Sequence, residues 1–142
     1  GKSYRHTLTC TPTQVPAEAV EAEAKRFDAD PLSLTVYVLR HRWGDASVVV
    51  PVTVDGAVSA ATIPDSLLRL RLKPGAHRLV AQWEGQSVDI AVEGRAGDLR
   101  VVELVGSGWA WGTRFSWNAV QVDAVQSRAR ASKLVADLDL RR

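Results

Sequence analysis

The chain has 142 residues, 46% hydrophobic and 24% charged, with a formal net charge of +2. That length favours one domain with a core large enough to fold without staples, and so small a charge excess excludes the basic footprint of a nucleic-acid binder. The lone cysteine, Cys10, closes no intrachain disulfide, and no apolar run approaches the roughly twenty residues of a membrane-spanning helix.

Residues 1–12 are irregular and polar. The segment PAEAVEAEAKRF, from Pro16 to Phe27, then reads as a short helix. Pro16 suits its first turn, Thr13 can cap it, and Ala17, Val20, Ala24 and Phe27 share one thin apolar stripe. A stripe this thin places the helix on the surface of a larger body. From Leu34 the period changes to two. The runs LTVYVLRH, SVVVPVTV, AVSAATI, LLRLRL, HRLVAQW, QSVDIAV and LRVVELV are strand-like and rich in aliphatic residues. Asp55-Gly56 and Glu84-Gly85 are two-residue hairpin signals. Lys73-Pro74-Gly75-Ala76 fits a type II turn.

These turns imply a register. A hairpin at Pro74-Gly75 sets Leu72 opposite His77, Arg71 opposite Arg78 and Leu70 opposite Leu79; one at Glu84-Gly85 sets Ala81 opposite Val88 and Leu79 opposite Ile90. One face of this three-stranded meander is then Leu68, Leu70, Leu72, Leu79, Ala81, Val88 and Ile90. The other carries Arg69, Arg71, Arg78, Gln82, Ser87 and Asp89. Arg71 opposite Arg78 is a like-charge pair that Asp89 can offset. Near the C-terminus DAVQSRARA reads as one or two helical turns. SKLVADLDL reads as a last edge strand with Leu134, Ala136, Leu138 and Leu140 on one face and Asp137 and Asp139 on the other.

The expected fold is all-β: an antiparallel β-sandwich of about seven to nine strands, immunoglobulin-like or prealbumin-like, with a short N-terminal helix and a helical turn before the last strand. Residues 1–30 form an N-terminal extension with the helix, and residues 31–142 the sandwich.

The stretch GSGWAWGTRFSW, Gly106 to Trp117, holds three tryptophans and a phenylalanine. In a strand Trp109, Trp111, Phe115 and Trp117 fall on one side. The favoured reading is that these rings seal the sandwich, with Trp111 and Trp117 in the core; the alternative is an exposed aromatic stripe for a partner, a glycan or a bilayer interface, and a mixed case puts Trp111 and Phe115 inside and Trp109 at the rim. The arginine face is the strongest surface feature. It is either a docking surface for an acidic or anionic partner, or a face covered by the N-terminal helix through Glu18, Glu21 and Glu23. The residues nominated for binding are Arg69, Arg71 and Arg78, with Trp109 and Trp43. Arg40, His41 and Arg42 could form an anion site, but strand alternation points His41 away from the two arginines. His6, His41, His77 and Cys10 lack metal-ligand spacing, so no metal or other cofactor is expected. No nucleophile sits beside a base, no acid/base carboxylate pair can be nominated, and no catalytic residue is assigned.

The order of VYVLRHRW, a VDG hairpin, LKPGAHRL and a terminal SRARASKLV resembles a family of small bacterial envelope proteins, many of them predicted lipoproteins, catalogued as domain of unknown function twenty-eight forty-six. The resemblance runs from about Cys10 to about Leu138 and includes the cysteine followed by AEAEAKRF, ending at Phe27. It implies a β-sandwich, a cell-envelope or periplasmic location and no known activity. Cys10 follows RHTLT, not the apolar run that precedes a lipidated cysteine. The chain opens on Gly1, which leaves an export signal or a lipid anchor upstream open.

The expected function is a non-enzymatic binding or accessory module of the bacterial envelope, acting by surface complementarity on a protein partner or an envelope component. The alternative is a cytoplasmic interaction or inhibitor protein. A less favoured reading is an enzyme with its site near His41.

Overall fold

The computed structural model describes residues 15–40, 49–109 and 112–141, with side chains at all of these except 107–109 and 112–113. The described residues form two helices and nine strands: α1 (Glu18–Ala24), β1 (Leu34–Arg40), β2 (Val50–Val54), β3 (Val58–Thr62), β4 (Ser66–Leu72), β5 (Gly75–Trp83), β6 (Gln86–Gly94), β7 (Leu99–Trp109), β8 (Gly112–Val120), α2 (Val122–Ala131) and β9 (Lys133–Leu140). The strands make a five-stranded sheet of order β8-β7-β1-β4-β9 and a four-stranded sheet of order β3-β2-β5-β6.

The all-β sandwich is present, but it is not wholly antiparallel. β1 lies parallel to β7 and β4 parallel to β9, so the larger sheet is mixed. The parallel pair β4–β9 needs a long connection. α2 lies on that path, ten residues and nearly three turns, leading from β8 at one edge to β9 at the other.

Between the sheets lies an apolar core of Leu34, Val36, Val38, Val52, Leu68, Leu70, Leu72, Leu79 and their neighbours, with Val88 and Ile90 packed against it. A second apolar cluster, with Tyr37, Leu39, Leu67, Val101 and Leu134 from the mixed sheet, Ala24 from α1, and Val125 and Ala129 from α2, occupies the sheet's other face. The molecule is thus three layers: helices, mixed sheet, antiparallel sheet.

The hairpin turns form as the sequence requires. Asp55-Gly56 (φ 52° and 69°) and Glu84-Gly85 (φ 45° and 77°) both take the left-handed conformations of a type I′ reversal. The β5–β6 register is the expected one, Ala81 opposite Val88 and Leu79 opposite Ile90. The expected hairpin at Pro74-Gly75 does not form. There the chain leaves the mixed sheet and enters the other, so Leu72 pairs with Leu34 and Leu140, Arg71 with Thr35 and Asp139, and His77 with Val92. The leucines of β4 still face those of β5, but across the core instead of along one sheet.

β9 is the edge strand expected, yet its apolar side is not continuous. A bulge sets Leu67 opposite Leu134 but Leu68 opposite Ala136. The extra residue, Val135, turns Leu134 towards the helices while Ala136 and Leu138 face the inter-sheet core. Asp137 and Asp139 then stand beside Arg69 and Arg71.

Leu70 is fully buried between the sheets, whereas the Arg71 side chain is 27% exposed with its nearest carboxylate, Glu23, at 4.0 Å. Leu70→Ala is expected to lower unfolding stability by about 2–5 kcal/mol and Arg71→Ala by less than about 1 kcal/mol. Denaturant titration of both variants checks this; equal losses would contradict the assignment of the two faces.

Candidate functional site

The three nominated arginines do not share a surface. Arg69 and Arg71 lie on the helix-covered face of the mixed sheet, and Arg78 on the outer face of the other sheet. Arg78 is paired there with Asp89, the partner expected for it.

Arg69 is the buried member, with 2% of its side chain exposed. Its guanidinium is held on two sides. Nη1 and Nη2 each donate to one oxygen of Glu23 on α1 at 2.8 Å, while Nε and Nη2 donate to Asp137 on β9 at 2.9 and 2.8 Å. Two bidentate carboxylates thus take four of the five N–H donors of the guanidinium. The Asp137 bonds, opposed by burial and seconded by the Glu23 bonds, hold Arg69 firmly in its charged form. The covered reading of the arginine face is therefore the one realised, with Glu23 and Glu21 as the acids that seat the helix.

α1 has seven residues and its N-cap, Ala17, brings no side-chain bond, so the helix cannot persist by local propensity. Tertiary contacts hold it. The Tyr37 hydroxyl donates to the Ala24 carbonyl at 2.5 Å, and Lys25 Nζ donates to the Arg130 carbonyl at the end of α2 at 2.9 Å. Glu21 accepts the Leu134 N–H at 2.9 Å and pairs with Lys25 and Lys133. The bond from Leu134, partly offset by burial and helped by the two lysines, lowers the Glu21 carboxyl from 4.5 to about 2. Glu23 is lowered as well, first by the Arg69 bonds. Thr13, the expected cap, lies outside the described residues.

The aromatic segment closes one side of the sandwich. Phe115 is buried and meets Trp83 edge-on, ring centres 4.9 Å apart. A β-carbon at Gly106 would stand 2.7 Å from the Phe115 ring, so only glycine fits opposite it. Trp117 is half-buried, and its indole N–H donates to the Val88 carbonyl of β6 at 3.0 Å, tying the edges of the two sheets together. Arg40 is also inside. Its Nη1 donates to the Thr62 carbonyl at 2.9 Å, its guanidinium lies 5.0 Å from the centre of the Phe115 ring, and burial pushes it down to about 10. An inward Arg40 is not a surface anion ligand. His41, Arg42, Trp43, Trp111, His6 and Cys10 lie outside the described residues. Trp109 ends β7 opposite Gly112, with its side chain outside the description.

One open cleft of about 390 Å³ lies at the β6 edge, lined mainly by Ile90, Val92, Leu99, Val101 and Val120, with Glu93, Arg100 and Gln121 also on its wall. No signal in the sequence marked it, because its wall is assembled where β6 of one sheet meets β7 and β8 of the other. Among the described residues no three His, Cys, Asp or Glu side chains converge as metal ligands, and no helix is long and apolar enough to cross a membrane. Neither the family models nor the curated proteins searched contain a match to this chain.

Arg69→Ala strands Glu23 and Asp137 together and is expected to cost about 3–5 kcal/mol. Because Glu21 and Glu23 are lowered on folding, their contribution is complete above 4.5 and drains away as pH falls towards their folded values, about 2 for Glu21. Glu21→Gln should flatten the acid limb of a stability–pH curve. An acid limb identical in the wild type and Glu21→Gln would contradict the assignment.

Proposed function

We propose that this chain is a non-enzymatic binding or accessory module of the bacterial cell envelope, and that it engages its partner through the tryptophan-bearing ribbon at the ends of β7 and β8. The observation that carries the reading is the register of β7. Among the described residues it pairs with β1 from Leu99 to Leu104 and with β8 from Val101 to Trp109. The β7–β8 pairing runs on to Trp109, opposite Gly112, and β8 brings the exposed Arg114 opposite Ser107. Tryptophan and arginine are the side chains that most often dominate a binding surface. The competing surface offers less: Arg69 is buried between two carboxylates, and Arg71 lies beside the Glu23 of the helix.

The envelope location rests on the family resemblance alone, and the non-enzymatic character on the lack of a nucleophile–base or acid/base pair in the sequence. The immunoglobulin-like or prealbumin-like subtype belongs to the same proposal and rests on strand number and turn spacing.

The test is cross-linked capture of partners by the intact polypeptide in its source organism, followed by affinity measurement on the captured species. Trp109→Ala is expected to weaken binding at least about tenfold, and Arg71→Ala to leave it unchanged. Binding lost with Arg71→Ala and retained with Trp109→Ala would overturn the ribbon as the contact. A captured partner found only in the cytoplasmic fraction would favour the inhibitor alternative.

A further inference from the structure

His77 stands near the start of β5, just after the chain has crossed between the sheets. Its Nδ1 lies 2.6 Å from Asp55 Oδ2, and its Nε2 lies 2.7 Å from the Lys73 carbonyl oxygen. Asp55 is the first residue of the β2–β3 turn and is itself fixed to β5. Its Oδ1 accepts the Arg78 N–H at 2.8 Å, and its own N–H donates to the Arg78 carbonyl at 2.8 Å.

Both atoms that face the ring are acceptors. A carbonyl oxygen and an ionised carboxylate have no proton to give. A neutral imidazole carries one N–H and one lone pair, so it can serve one of them and must turn its lone pair on the other. The imidazolium alone donates to both. The ring is 13% exposed, which leaves little room for water to take over a lost bond.

We propose that His77 is a proton-operated latch: protonated, it ties the β2–β3 turn to the Lys73–Pro74 crossover that joins the two sheets, and deprotonated, it lets the crossover go. The crossover is the end released for two reasons. The Asp55 carboxylate is the stronger, charge-assisted acceptor, so the remaining proton stays on Nδ1. Asp55 is also bound to Arg78 at two further points, whereas Pro74 has no N–H with which to re-anchor the crossover.

The charged group acting on the ring is Asp55 on the turn, and Lys73 of the crossover presents its carbonyl; Arg78 with its partner Asp89, and Glu93, in register with Ala76, stand on the other face of the β5–β6 ribbon. Burial works against the imidazolium, but the Asp55 and Lys73 bonds outweigh it and His77 is raised above 6.5. Burial likewise opposes the Asp55 carboxylate, and the bonds from His77 and Arg78 outweigh it, so Asp55 falls below 3.8. A raised histidine contributes stability that is complete below its unfolded value and is lost as pH rises through the folded one. A lowered aspartate contributes above its unfolded value and fails on acidification. The latch is thus fully closed between 3.8 and 6.5 and opens as pH rises through the raised value of His77.

The test is an NMR titration of the intact chain from pH 5 to 9, following the ring of His77, identified by its loss in His77→Gln, and the amides of Gly75 and Ala76. The His77 midpoint is expected above about 6.5. The two amides should shift with the same midpoint and exchange several-fold faster above it, after correction for intrinsic base catalysis. Asp55→Asn should bring the midpoint down, and His77→Gln should abolish the pH response of the crossover amides. A wild-type midpoint at or below 6.5, or crossover amides that do not follow the ring, would overturn the latch. The wild-type titration decides the matter even if a variant fails to fold.

Discussion

A guanidinium buried to 2% exposure has to be neutralised, and Arg69 is neutralised by two carboxylates that come from opposite ends of the chain. Glu23 arrives on α1, forty-six residues before it, and Asp137 on β9, sixty-eight residues after it. An uncompensated charge at that depth costs several kcal/mol, so the three groups are present together or the face opens. This constraint fixes much of the rest. It holds a seven-residue helix that could not persist alone, and it aligns β9 beside β4 so that Asp137 meets Arg69 and Asp139 falls in register with Arg71. It also lets Tyr37, Leu39 and Leu67 be buried on the outer side of a sheet whose inner side is already the main core.

The same interaction bears on function by removing a surface. Two of the arginines that looked like a docking face are instead the seat of a helix, and Arg78 is paired on a different sheet. Elsewhere the aromatic residues divide. Phe115, Trp83 and Trp117 close the side of the sandwich, with the Trp117 indole bridging to an edge carbonyl of the opposite sheet. β7 and β8 run on beyond that seal, and the proposed contact lies at their end. The proposed contact is thus carried by a ribbon beside a three-layer body, much as many proteins bind through segments held on a stable scaffold.

Much of the body was legible in the sequence. Period-two runs located the strands, because one residue of slip would put leucines in water. Asp55-Gly56 and Glu84-Gly85 located two reversals, because few residue pairs accept two positive φ angles in succession. The pairing of helix glutamates with sheet arginines was also legible as charge complementarity. The Lys73–Pro74 crossover was not, since a Pro-Gly step suits a hairpin and a change of sheet equally, and the leucines of β4 and β5 point inwards in both. The parallel placement of β9 and the bulge at Val135 depend on partners remote in sequence, and no local pattern carries them. The latch at His77 was invisible for the same reason: its two acceptors are set by the β2–β3 turn and the crossover, not by its neighbours.

The seating of α1 depends most directly on the coupling between Arg69 and Glu23. A double-mutant cycle with Arg69→Met, Glu23→Gln and both together, read as unfolding free energy at neutral pH, isolates it. A buried, bidentate pair that seats α1 predicts a coupling of at least about 1.5 kcal/mol. Losses that add to within about 0.3 kcal/mol would mean that the helix is held by something else and that the arginine face is open after all.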